Sequence, residues 1–193
     1  DLSKLVTGSF GTLVALTEIT LKVLPKKKSS NTITIHTDDK KLIKDLFEKI
    51  SSSSSEVSGA VYIPDEPKDE SYDQNKEMVF KFNDLKYKGS FLALRIEGDK
   101  IAIDEKIKAL TIELELSKLN TTVLDVHQST PFWKKINNLE LFKQTKNNLL
   151  RVVVPPSKGP KLIQFLGNKY KYYIDWCGSL YWIEVQSKKN SKV

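Results

Sequence analysis

Apolar and polar residues alternate from Thr32 to His36, the period of a strand. Thr37 or Asp38 then stands where a helix cap is expected, and Leu42, Ile43, Leu46, Phe47 and Ile50 share one helical stripe. The polar run Ser51–Ser55 reads as a frayed helix end and a loop. Val57 to Ile63 returns as a strand, closed by Pro64. Residues 65–77 are acidic, polar and aperiodic, which predicts a mobile loop between hairpin strands. Met78–Phe82 and Phe91–Ile96 read as strands. Asp99 and Asp104 flank the start of a second helix, with Ile103, Ile107, Leu110 and Leu114 on one side, and Thr121–Val126 is a further strand.

Strand–helix–strand is thus followed by strand–helix–strand, the order of a split-βαβ, ferredoxin-like sandwich. Ser129-Thr130-Pro131 predicts the start of a third helix, with the proline early, where its missing N–H costs nothing. Leu149–Val154 is a β-branched strand stopped by Pro155-Pro156, and Lys161–Leu166 is a short helix ended by Gly167. Tyr170–Trp176 and Leu180–Val185 form a hairpin around Cys177-Gly178-Ser179. The fold class is α+β, with helices packed on one face of a mainly antiparallel sheet.

The opening stretch differs in character. Gly8-Ser9-Phe10-Gly11 is a loop, followed by a strand with Ile19, Leu21 and Val23 on one face and Glu18, Thr20 and Lys22 on the other. Pro25 and Lys26-Lys27-Lys28 end it, and the composition turns from apolar to Lys- and Ser-rich. A boundary at residue 25 divides the chain into 1–25, the end of one domain, and 26–193, a second. The chain opens on Asp1 and its first motif begins at Gly8, so further sequence is expected upstream.

Composition narrows the chemistry. At 193 residues the chain is long enough to bury a core without staples. The single cysteine, Cys177, excludes an internal disulfide and a Cys-cluster metal site. No apolar run is long enough to span a bilayer, and no secretion signal is present. The net charge is +7, yet the bases are almost all lysines scattered among carboxylates, and the only arginines are Arg95 and Arg151. That pattern reads as a Lys-rich solvated surface rather than a nucleic-acid interface, which favours arginine for base and phosphate contacts. A nucleic-acid module would instead bind with a steep salt dependence.

Four segments carry a resemblance. GSFGTLVALTEITLKVLP, Gly8 to Pro25, matches a Gly-Ser-x-Gly-Thr-Leu-Gly turn and a strand ending Leu-Lys-x-Leu-Pro at Gly8, Ser9, Gly11, Thr12, Leu13, Glu18, Leu21, Lys22 and Pro25. Further on stand Thr130-Pro-Phe-Trp133, then LLRVVVPP from Leu149 to Pro156, then DWCGSLYWIEV from Asp175 to Val185. Together they resemble the vanillyl-alcohol-oxidase (PCMH-type) FAD-linked oxidases, and within them the FAD-binding subunit of glycolate oxidase. The chain departs from that pattern where the family has its next glycine, which is Val14 followed by the small Ala15, and where Leu150 replaces a tryptophan.

The resemblance implies a cap domain preceded by the terminal strand of a PCMH-type FAD-binding domain. FAD would lie against Gly8, Ser9, Gly11, Thr12 and Ala15, the glycines admitting the backbone to the diphosphate and successive N–H groups facing its oxygens. It implies oxidation of glycolate or a similar small 2-hydroxy acid to the 2-oxo acid, with the isolated chain inactive. The implied partners are a related flavoprotein subunit and an iron–sulfur subunit. The implied location is cytoplasmic, at the inner face of the membrane through the complex. A non-catalytic docking subunit with a decayed flavin site is the rival that Val14 raises.

Two residues are candidates for catalysis. Arg151 interrupts an apolar strand, where a charge needs a reason: a substrate carboxylate, or an ion pair or edge-strand position. Arg95 sits in a similar strand and invites the structural reading. His127 follows a strand and is the candidate base, although no carboxylate is evident to pair with it. With His36 it makes too few histidines, too far apart, for a metal site. Tyr172, Tyr173, Trp176, Tyr181 and Trp182 either line a pocket for a planar ligand or form the hairpin's core, and Cys177 is a thiol in a turn.

Overall fold

A computed structural model of the chain describes residues 1–23, 25–65, 80–82, 85–87, 89–143, 145–167 and 169–185. Seven strands form one sheet in the order β6-β1-β5-β2-β8-β9-β7, comprising β1 (Ser29–His36), β2 (Gly59–Ile63), β5 (Phe91–Gly98), β6 (Thr121–Leu124), β7 (Asn148–Val153), β8 (Tyr172–Asp175) and β9 (Leu180–Val185). Every neighbouring pair is antiparallel. The architecture is α+β, as the sequence predicts. A separate two-stranded pair, β3 (Phe80–Phe82) with β4 (Leu85–Tyr87), is inserted between β2 and β5. The expected loop at 65–77 lies, beyond Asp65, outside the described residues, as do Met78 and Val79.

One face of the sheet is covered by α2 (Lys40–Ser52), α3 (Lys100–Glu113) and α5 (Gly159–Leu166). Asp39 caps α2 by accepting from the N–H groups of Lys41 and Leu42, one residue later than the predicted cap. The predicted stripe is then buried at Ile43, Leu46, Phe47 and Ile50 against Ile33, Ile35, Leu92 and Leu94 of the central strands. Gly167, with φ +53°, ends α5.

The other face corrects the expectation that the helices share one side. α4 (Val126–Asn137) packs Phe132, Trp133 and Ile136 on Val61, Ile63, Phe91, Ala93 and Tyr173. The signal was the near-continuous apolar run in β5, which buries both faces of the strand. The start of α4 is a second correction. Asp125 and Gln128 form a capping box, so the helix begins at Val126 rather than at Ser129, and the preceding strand ends at Leu124. Pro131 therefore lies inside the helix and removes one backbone bond, that to the His127 carbonyl.

The opening segment is a third. Residues 2–6 form α1 (Leu2–Val6), which the pattern of residues did not announce, and Ile19–Val23 carries no strand. Alternation alone does not make a strand, because its backbone groups need a neighbour to bond. None of residues 1–23 is buried. Among the described residues no helix is long and apolar enough to cross a membrane.

Candidate functional site

Side chains on a strand alternate between faces, so the parity of each residue decides which partners it meets. Arg95 on β5, Asp175 on β8, Trp182 on β9 and Arg151 on β7 all project to the face that carries α4. Trp133 reaches the same face from α4, and Trp176 extends it from the turn after β8. Both arginines and all three tryptophans of the chain thus gather on one side of the sheet.

Arg95 is fully engaged there. Its guanidinium lies 4.9 Å from the centre of the Trp133 ring, its Nε donates to Ser58 Oγ at 3.1 Å, and its Nη2 donates to the Ser58 carbonyl at 3.0 Å. Glu97 adds an ion pair at 3.5 Å. The indole is fixed in turn. Trp133 Nε1 donates to Thr32 Oγ1 at 2.9 Å, and that hydroxyl is 2.7 Å from Ser129 Oγ, which is 3.0 Å from Ser30 Oγ. Gly59 lets the ring lie this close to β2, since a Cβ there would stand 3.1 Å from two Trp133 ring carbons. Arg95 is a structural residue.

Arg151 is different. It is exposed on β7, an edge strand, and its guanidinium lies 5.2 Å from the centre of the Trp176 ring and 5.9 Å from that of Trp182. Among the described residues no carboxylate pairs with it. Stacking on indoles holds a guanidinium through its π-face and leaves its in-plane N–H groups open, the fork that grips a carboxylate.

The turn that places Trp176 is strained. Trp176, Cys177 and Gly178 have φ of +52°, +50° and +90° in succession. Two non-glycine residues in that region cost energy, and such strain collects where a side chain must be aimed. Asp175 starts the turn, its Oδ1 accepting from Trp176 N at 2.7 Å. Burial pushes its carboxyl above the ordinary aspartate range, opposed by that backbone bond and by the charge of Arg95. Among the candidates for chemistry, sequence reasoning missed Asp175; its signal was a carboxylate closing a β-rich run beside an aromatic turn.

The remaining candidates lie elsewhere. His127 is exposed in the first turn of α4, whose next turn bonds to β1, while Arg151 is on β7. Strand spacing separates those two strands by on the order of 25 Å, so the pair does not share a site. His36 ends β1 next to the Phe91 ring, and burial lowers its pKa. Tyr172, Tyr173 and Tyr181 are core residues, whereas Trp182 is half-buried and Trp176 exposed. Cys177 is half-buried, and burial raises its thiol pKa against a bond with Ser51. Among the described residues no three His, Cys, Asp or Glu side chains gather to hold a metal.

The glycine turn is open. Gly8 and Gly11 have φ of +81° and +76°, and a Cβ at either would meet nothing within 4 Å. Ser9 N–H donates to the Val6 carbonyl and Thr12 N–H to the Ser9 carbonyl, so those two donors are spent within the segment. Phe10 and Gly11 N–H bond to none of the described residues. Two of the four N–H groups from Ser9 to Thr12 are thus already bonded within the segment, which leaves fewer than a full anion nest needs. Ala15 is exposed beyond it, as is Val14. No family model matches the chain, and no curated protein matches it.

Proposed function

We propose that the chain is part of an FAD-linked oxidoreductase subunit of the glycolate-oxidase type, acting on a small 2-hydroxy acid, with residues 26–193 as its cap. The observation that carries this reading is Arg151, stacked on Trp176 and Trp182 with no carboxylate partner among the described residues. The strand order β6-β1-β5-β2, with α2 and α3 on one face, supports a split-βαβ, ferredoxin-like cap. The cofactor would rest on the open turn of Gly8, Ser9, Gly11 and Thr12, beside Ala15. The flavin supplies acceptance of the hydride from the substrate α-carbon.

The chain's own residues would do the rest. Arg151 grips the carboxylate through two parallel N–H bonds and fixes which way the α-carbon faces. Asp175, two strands away on the same face, has its Cα on the order of 12 Å from that of Arg151 by strand spacing and register. A small hydroxy acid spanning that gap would present its carboxylate to the arginine and its hydroxyl to the aspartate. The raised pKa of Asp175 suits it to take the hydroxyl proton. A related flavoprotein subunit and an iron–sulfur subunit would receive the electrons.

Glycolate titration monitored by tryptophan fluorescence tests the carboxylate site, because Trp176 and Trp182 flank the guanidinium. A saturable change is expected with glycolate and not with ethylene glycol, and Arg151→Gln should abolish it without altering thermal stability. An equal response to the diol, or one that survives R151Q, refutes the assignment. Flavin absorbance of the full-length subunit tests the cofactor. A folded, colourless protein that retains the glycolate response would favour the docking subunit, the reading that Val14 supports.

A further inference from the structure

The sheet ends at β7 on one side, and the main chain of that strand faces outward at alternate residues. Val154 N–H donates to the Ser179 carbonyl at 2.9 Å, continuing the β7–β9 register by one pair. Antiparallel ladders alternate, so Leu149, Arg151 and Val153 turn their N–H and C=O groups away from β9. Glu184 fixes the same phase from the other strand: it stands opposite Leu149, yet its N–H donates to the Lys171 carbonyl, on the β8 side. Three residues of β7 thus present main-chain donors and acceptors that bond to none of the described residues.

Edge strands are ordinarily blunted by shortness, lysine, proline or a bulge. β6, the edge at the other end of the sheet, has only four residues. β7 has six, NLLRVV, in unbroken register and without lysine or proline. Leu150 and Val153 are 46% and 53% exposed, one on each of its faces. Its one charge, Arg151, stacks on the indoles of Trp176 and Trp182, the second of which is its direct neighbour on β9. The guanidinium therefore lies over the sheet and does not guard the edge.

Charge selects the occupant. Residues 141–174 hold seven Lys and Arg and no Asp or Glu, which accounts for the chain's whole net charge of +7. Lys171 pairs with Glu184 at 3.9 Å, and the other six make no ion pair with the described residues. Lys146 precedes β7 by two residues and Lys158 follows it by five, both exposed. A second copy of the chain would bring like charge against this edge, whereas carboxylates are drawn to it. We propose that β7 accepts an extended, acidic segment of a partner protein as an eighth, antiparallel strand, bonded to the main chain of Leu149, Arg151 and Val153. The added strand uses the backbone of Arg151 and leaves its guanidinium to the carboxylate site.

A labelled, end-capped Glu-Val-Glu-Val-Glu-Val peptide, titrated with the full chain and followed by fluorescence anisotropy, tests this. Paired antiparallel, its glutamates share the face of Arg151 and point their amides at β7, while its valine amides point outward. The peptide should bind saturably, and its Lys-Val counterpart should not. Methylating the three glutamate amides should weaken binding more than about tenfold, the worth of the lost hydrogen bonds, and methylating the valine amides should leave it nearly unchanged. Hydrogen exchange should slow at Leu149, Arg151 and Val153 on binding. Equal effects of the two methylations, loss confined to valine methylation, binding of the lysine peptide, or protection at β6 instead of β7 overturns the proposal. So does a chain that is already dimeric with those three amides protected, since the edge would then belong to a second copy. Arg151→Gln should lose the glycolate response yet keep the methylation pattern, so the two assignments fail separately.

Discussion

Replacing Thr32 by valine tests whether the hydroxyl network beneath Trp133 ties α4 to β1. Thr32 is 0% exposed, and its Oγ1 accepts from Trp133 Nε1 at 2.9 Å while lying 2.7 Å from Ser129 Oγ. Valine keeps the shape and strand preference but leaves the indole N–H, on a residue only 5% exposed, without an acceptor. Ser129 keeps its bond to Ser30. The cost is therefore dominated by one orphaned buried donor, about 1–3 kcal/mol. With a urea m-value of about 2 kcal/mol/M, a loss near the middle of that range moves the unfolding midpoint down by roughly 1 M. The same loss lowers Tm by roughly 6 °C for a chain of this size.

Trp133→Phe supplies the control, because it removes the donor itself. In that background T32V should cost less than about 1 kcal/mol, giving a coupling energy of roughly 1 kcal/mol or more between the two sites. Urea unfolding of the four proteins, followed by circular dichroism, measures the cycle. A T32V cost below about 0.5 kcal/mol, or equal costs in both backgrounds, refutes the reasoning, because a buried N–H would then be losing its acceptor for nothing.

Two further outcomes follow from the same geometry. Burial lowers the pKa of His36 from 6.5, so below that pH the unfolded chain takes up a proton that the folded one resists; stability is full above pH 6.5 and falls as the solution is acidified. The urea midpoint of the wild type should accordingly drop between pH 7.5 and 5.5 by more than that of His36→Gln, and parallel profiles would contradict this. Gly59→Ala places a Cβ 3.1 Å from the Trp133 ring and 3.4 Å from Arg95 Nε. Overpacking of about 1–3 kcal/mol against a gain of about 0.4–1 kcal/mol in chain entropy leaves a net loss of roughly 1 kcal/mol, visible as a lower Tm and a changed near-ultraviolet Trp133 signal.

Local periodicity by itself determined most elements of this protein. The stripe of α2, the strands of the first half and the closing hairpin follow from residues that are neighbours in sequence, where backbone geometry alone fixes which side chains share a face. The pattern left open which face of the sheet each helix takes, because β2 and β5 are apolar on both sides and accept cover on either. It could not seat Ile19–Val23, whose alternation is real but whose pairing partner is no property of the segment.

The candidate site divides in the same way. Arg95 and Arg151 look alike in sequence, each a lone cation in an apolar strand. Only tertiary structure separates them: Arg95 on an inner strand meets Ser58, Glu97 and Trp133, whereas Arg151 on the edge strand meets two indoles and, among the described residues, no carboxylate. A side chain's charge is written in its own codon, but whether that charge is satisfied depends on atoms brought near by strands distant in sequence. For Asp175, too, position in the chain is silent; what raises its pKa is the burial that the packed sheet imposes.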